Sequence, residues 1–271
     1  YALLLIATGS MALLVQAQDL ILIFIALETT SIAQYVLVAI TRDDKSAEAG
    51  LKYLISGAIA AAIMIYGFVL LFGLSGSTSL TDISMFISSS NSDIRLAITI
   101  AFVFISAGFG FKMALVPFHG WAPDVYQGAP TRVSAFLSVA SKAAGFAIAL
   151  RIFYTGLGGG GTFISSDWAM VFGAFAVLSM IVGNTAALLQ TDARRLLGYS
   201  SIAQAGNMLP HIAILRETKS IFSKIFMYGL PVIKIFICLW NWFILQIFIS
   251  LVACNDKILF LVFNTLSETS K

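Results

Sequence analysis

Apolar runs of about the length needed to cross a bilayer, roughly 20 residues, recur along the chain with short polar stretches between them. They occupy residues 3–15, 20–40, 51–74, 96–116, 133–153 and 168–189, with a weaker run at 196–215 and another at 225–253. Lipid offers no partner to an unpaired backbone N–H or C=O, so every run is expected to be a helix. The pattern therefore predicts an all-α, polytopic transmembrane bundle. The first run follows directly on Tyr1 and lacks the basic start and cleavage site of a signal peptide, which is the expectation for an internal fragment of a longer chain.

Composition agrees with the pattern. Of 271 residues, 59% are apolar and 11% charged, against about half and a quarter in soluble domains. The mean hydropathy is +0.94. A net charge of +3 spread over short loops suggests no nucleic-acid surface. The two cysteines, Cys238 and Cys254, have neither CxxC nor metal-ligand spacing, so neither a disulfide framework nor a zinc site is expected.

Charge is more informative loop by loop. Residues 41–52 carry Arg42, Lys45 and Lys52, residues 190–195 carry Arg194 and Arg195, and Arg132 precedes the fifth run. The loops 16–19, 75–94 and 155–167 carry no Lys or Arg. Positively charged loops stay on the cytoplasmic or matrix side, so the first run is expected to pass from inside to outside. The serine-rich stretch 75–92 reads as a polar outer loop and the glycine run 158–161 as a flexible outer linker.

Near residue 207 the composition changes. Residues 1–207 hold 20 of the 21 glycines and four lysines, whereas 208–271 hold one glycine, five lysines and both cysteines. Arg216, Lys219 and Lys224 also fall where the charge alternation calls for an outer loop. The expected division is a membrane domain over 1–207 followed by a divergent hydrophobic tail over 208–271.

Candidate chemistry is sought among ionisable residues inside the runs, because a charge at the centre of a membrane helix costs at least about 2.5–3.5 kcal/mol. Through residue 207 three stand out: Glu28, Lys112 and Lys142. Glu28 and Lys142 lie near mid-span, where snorkelling gives little relief. Lys112 lies nearer a helix end, and Arg151 reads as an interfacial anchor. Pro117, Pro123 and Pro130 follow Lys112 and fall within one fourteen-residue stretch. Each removes a backbone donor, so the fourth run should break after Val116. Irregular backbone at membrane depth survives only inside protein or beside a water-filled cavity, a setting common in ion pathways. His119 and Asp124 in this segment read as interfacial packing rather than relay groups.

These residues carry a specific resemblance. PFHGWAPDVYQGAP and SVASKAAGF, within residues 111–146, are similar to the signature of the chain 2 family of NADH-quinone oxidoreductase, respiratory complex I. DLILIFIALETTSIAQYVLVA around Glu28 and TDARRLLGYSSIAQAG over 191–206 agree with it. DVYQGAP separates chain 2 from its paralogues and from cation/proton antiporter subunits.

The resemblance implies an antiporter-like fold of two inverted five-helix repeats, each with one broken helix, the first present here and the second incomplete. It implies roles in proton transfer for Glu28, Lys112 and Lys142, which match the family's fifth-helix glutamate, broken-helix lysine and eighth-helix lysine. Lys234 lacks the context of the lysine in the second broken helix.

It further implies other complex I membrane-arm subunits, especially antiporter-like chains, as partners. No redox cofactor is expected in this chain, in keeping with the lack of GxGxxG and of a cysteine cluster. The expected location is the mitochondrial inner membrane, with the bacterial plasma membrane and the thylakoid as alternatives. A photosynthetic homologue, a free-standing antiporter and a truncated, non-pumping product are the competing readings.

Burial disfavours a charged lysine while a nearby carboxylate favours it, so Glu28 and Lys112 are expected to form a switchable pair. If Lys112 lies near Lys142, charging one disfavours the other. The charge pattern also makes a topological prediction. A cysteine introduced at position 45 should be labelled only from the cytoplasmic or matrix side, and labelling from the outer side contradicts it.

Overall fold

A computed structural model describes residues 1–90, 94–157 and 165–214, and apart from one isolated bridge between Asp19 and Ser79 the regular structure there is helical. The helices are α1 (Ala2–Gln16), α2 (Leu20–Val38), α3 (Asp44–Ser75), α4 (Leu80–Ser89), α5 (Arg95–Met113), α6 (Trp121–Gly128), α7 (Thr131–Phe136), α8 (Lys142–Arg151), α9 (Ser165–Leu188) and α10 (Ala193–Ile214). Five stretches among the described residues are long and apolar enough to span a membrane: α2, α3, α5, Thr131–Arg151 and Met170–Leu188. The expected run 225–253, the loop charges Arg216, Lys219 and Lys224, and nearly all of the 208–271 tail lie outside the described residues.

The two ends of the bundle are built by different contacts. At the end expected to face outward, Asp19 caps α2 by accepting from the Ile21 and Leu22 amides at 2.8 and 3.3 Å and from the Thr78 hydroxyl. The Leu20 and Leu80 amides donate across to Thr78 and Gln18 carbonyls, each at 2.9 Å. Arg151 donates to the Gln16 carbonyl at 3.0 Å, which ties α8 to the end of α1 as an anchor would.

The stretch expected as a polar outer loop instead contains α4. Leu80, Ile83 and Ile87 are its buried residues, spaced i, i+3 and i+7 on one face. That periodicity is present in the sequence but is short and diluted by serines.

At the opposite end, α5 stops at Met113 rather than running to Val116. Ala114 adopts a left-handed conformation, φ 57° and ψ 45°, and its amide turns back onto the last helical carbonyls. The prolines therefore follow a helix that has already ended. Two backbone groups at the break find side-chain partners: the Val116 amide donates to Ser179 Oγ at 2.9 Å, and Trp121 Nε1 donates to the Phe111 carbonyl at 3.0 Å. Helix α6 resumes at once, with Pro123 in its first turn, where an amide has no helical partner to lose.

Packing around the break is aromatic and small-residue packing. The Tyr53 ring stacks on Trp121 with centroids 4.4 Å apart and meets Tyr35 edge-on at 4.8 Å. Gly57 leaves the space that the Tyr35 hydroxyl fills. A Cβ at Gly183 would lie 2.7 Å from the Ala203 amide nitrogen, so α9 and α10 approach at backbone distance, as small residues allow in membrane bundles. Outward, Ile21, Ile25, Ile32 and Val36 of α2 and Ile55 and Ile59 of α3 are exposed, an apolar face suited to lipid.

Helix α6 is fastened by ions. Asp124 accepts from Lys52 Nζ of α3 at 2.9 Å and from Arg195 Nη1 of α10 at 2.5 Å, while Gln127 donates to Asp192 at 3.2 Å. Burial alone would raise the Asp124 carboxyl, but the hydrogen bonds and charges of Lys52 and Arg195 outweigh it and hold the group below the ordinary aspartate range. Its stabilisation is thus in place above the ordinary value of about 3.9 and disappears as pH falls through the lower native value. Asp124→Asn in the full-length, assembled protein should cost about 1–2 kcal/mol near pH 7. The gap to wild type in thermal unfolding should close in more acid solution, and a gap constant down to about pH 3 contradicts an ionic origin.

Candidate functional site

The polar content of α2 is concentrated in one stretch, Glu28 to Gln34, where Thr29, Thr30 and Ser31 also fall. Thr30 and Ser31 return their hydroxyl protons to the Ala26 and Leu27 carbonyls, both at 2.8 Å. The Ser31 oxygen keeps its lone pairs free to accept from elsewhere. Gln34 is fully buried, at 0% exposure.

Lys112 comes to this stretch from the last turn of α5, with only 2% of its surface exposed. Its Nζ donates to Ser31 Oγ at 3.2 Å and to Gln34 Oε1 at 3.1 Å. A lysine at a helix C-terminus also faces the negative end of the helix dipole. The Gln34 oxygen accepts twice more, from the Tyr53 hydroxyl of α3 at 3.1 Å and from Ser141 Oγ at 3.2 Å. Gln34 Nε2 has no partner among the described residues, and an idle buried donor costs about 1–3 kcal/mol. On the far side Gly145 of α8 packs beside the Lys112 stem, where a Cβ would lie at an ordinary van der Waals distance of 3.4 Å from Lys112 Cγ.

Glu28 is half-buried on α2, within electrostatic reach of Lys112 but not in contact with it. No ion pair joins Glu28 to Lys112: the ammonium bonds to a hydroxyl and an amide oxygen, and the carboxylate acts on it through space. Ser31 and Gln34, one and two turns along the same helix from Glu28, supply those two oxygens.

Lys142 forms a second cluster. It is 1% exposed and donates to the Ser201 carbonyl at 3.0 Å and to Ser201 Oγ at 2.5 Å, both on α10. It follows a π-helical turn, Leu137–Ser141, a local widening frequent at functional sites. The two lysines are therefore held by different partners, Lys112 by α2 and Lys142 by α10. No hydrogen bond joins the lysines to each other; Ser141, the residue before Lys142, carries the Lys112 cluster to the edge of the second one.

His119 sits half-buried between α5 and α6, with no partner for Nδ1 among the described residues. Asp124 is the hub of the clamp on α6. Charge alone does not single out Gln34, Ser31, Ser141, Tyr53 or Ser201. The signal that could have found the first two is the run ETTSIAQ in the middle of an apolar span. For Ser201, an α10 hydroxyl, nothing in the sequence pointed to Lys142.

Residues 17–247 match the family described as NADH:quinone oxidoreductase/Mrp antiporter, TM. The match continues past residue 207 into the compositionally divergent tail. A protein of Trichodesmium erythraeum named NAD(P)H-quinone oxidoreductase subunit 2 is 49% identical over 228 residues, covering 83% of this chain and 42% of that protein. The corresponding protein of Trichormus variabilis is 47% identical over 239 residues, 88% of this chain and 45% of its own length. This chain thus spans less than half the length of these relatives. Among solved structures, a chain of respiratory complex I from Thermus thermophilus with bound aureothin superposes with a TM-score of 0.65 at 39% identity, over 77% of this chain and 44% of that one.

Proposed function

The chain belongs to the NADH:quinone oxidoreductase/Mrp antiporter transmembrane family, and on that premise we propose that it is part of a proton-translocating membrane subunit, of the chain 2 type, of an NAD(P)H:quinone oxidoreductase. The observation that carries this reading is Lys112, an amine buried at the end of an interrupted helix and bonded to neutral oxygens. An ammonium so placed can lose its proton without breaking a contact ion pair, and each proton moved changes the charge at Nζ by one. Lys142, whose hydrogen-bond partner among the described residues is Ser201, is the second station. Glu28 acts on Lys112 through its field rather than by contact, biasing when the proton is held.

The partners on this reading are the other membrane-arm subunits, including further antiporter-like chains. Electron transfer belongs to those subunits that carry the redox groups, and this chain supplies the proton path. The relatives are cyanobacterial and the solved structure bacterial. That favours a bacterial plasma or thylakoid membrane over the mitochondrial inner membrane.

Arginine keeps its proton across physiological pH, so it can occupy the site but cannot release the proton on cue. In a complete subunit within the assembled complex, Lys112→Arg should lower NADH-driven proton uptake into vesicles by at least about tenfold while assembly is retained. An anchoring lysine would accept arginine without loss, so wild-type uptake by this variant contradicts the reading.

A further inference from the structure

The side-chain amide of Gln34 has an unbalanced set of contacts. Its oxygen receives three donors, from Lys112, Tyr53 and Ser141, while its nitrogen, with two N–H bonds to give, has no partner among the described residues. An amide oxygen has two lone pairs, so one acceptor is crowded beside two idle donors. The charge on Lys112 enforces this arrangement. An ammonium has three donors and no acceptor, and the reversed amide would set N–H against N–H.

Removing the proton changes every term. A neutral lysine amine carries a lone pair, and the Tyr53 and Ser141 hydroxyls can accept as well as donate. The reversed amide can then give its N–H bonds to groups that previously gave theirs to its oxygen. We infer that Gln34 is a positioning residue whose amide reverses with the protonation state of Lys112 and passes that state to Tyr53 and Ser141 as a reversal of hydrogen-bond direction. Ser141 closes the π-helical turn directly before Lys142, so the reversal reaches the segment that presents the second lysine.

This inference rests on the proposed proton-carrying role of Lys112. The titratable groups that face this cluster from the packed elements are Glu28 and Tyr35 on α2, Tyr53 on α3, Tyr126 on α6 and Lys142 on α8; Lys52, Asp124 and Arg151 on the same elements are engaged elsewhere. Of these, Tyr53 bonds Gln34 directly, Glu28 acts through space, and Lys142 is turned to Ser201.

Two variants of the full-length subunit in the assembled complex test it through the pH profile of NADH-driven proton uptake. Gln34→Glu keeps the size and the acceptor but has no N–H to offer, and its charge holds the proton on Lys112. The half-maximal point should move upward by about one unit or more, with uptake near neutral pH reduced. Gln34→Met keeps the length but removes both donor and acceptor, and its profile should move downward. A space-filling role predicts an unshifted profile in Gln34→Glu, and that result overturns the amide switch; a merely accepting role shares the shift but leaves the Gln34 side-chain amide bands, identified in infrared difference spectra with nitrogen-15-labelled glutamine, unchanged on NADH addition, and that result overturns the switch equally. Should Gln34→Glu fail to assemble, an unshifted Gln34→Met profile overturns it equally. Loss of uptake in Lys112→Arg with unshifted Gln34 profiles removes only the switch, whereas full uptake in Lys112→Arg removes the proton-carrying role itself.

Discussion

An ammonium group held out of water without a carboxylate in contact is the constraint on which the rest of this structure depends. A lysine at the centre of a membrane helix costs about 2.5–3.5 kcal/mol, and a hydrogen bond to a charged group returns about 1.5–3 kcal/mol. Lys112 has two such acceptors, Ser31 Oγ and Gln34 Oε1. Gain and cost are of the same order, so the charge is tolerated without being locked. A contacting carboxylate would tip that balance heavily toward the charged form, because breaking a buried pair costs about 3–5 kcal/mol. The half-buried Glu28, near but not bonded, leaves the balance adjustable.

The break in α5 serves the same constraint. Had the helix continued, Lys112 would sit in mid-helix rather than in the last turn, away from the negative end of the dipole. Stopping at Met113 frees backbone groups at depth, and the fold answers with Ser179 from α9 and the Trp121 indole from α6. Because α6 closes the break, its own position matters, and Asp124 fixes it between Lys52 of α3 and Arg195 of α10. The ion cluster and the lysine cluster are thus linked through one short helix.

Most of the helices were legible as apolar runs, because a membrane span needs length and composition more than partners. Three features were not. Helix α4 was hidden because three apolar residues among serines make a weak signal, although their spacing is helical. The end of α5 was placed at Val116 by its proline, whereas the backbone leaves the helix at Ala114, a residue with no turn preference of its own. The buried lysines were found because charge is rare in lipid, but their partners are hydroxyls and an amide, which are cheap enough in a span to attract no notice singly. Glu28 was paired with Lys112 by charge, yet helix packing placed Gln34 nearer.

The central claim, that Lys112 gives up and regains a proton during turnover, is tested most directly by infrared difference spectroscopy. The assembled complex in lipid, with nitrogen-15-labelled lysine, would be compared before and after NADH addition. The account predicts a lysine ammonium band that changes intensity on reduction, shifts with the label and is missing in Lys112→Met. Turnover with no change in any lysine band, or an unchanged signal in Lys112→Met, would contradict it.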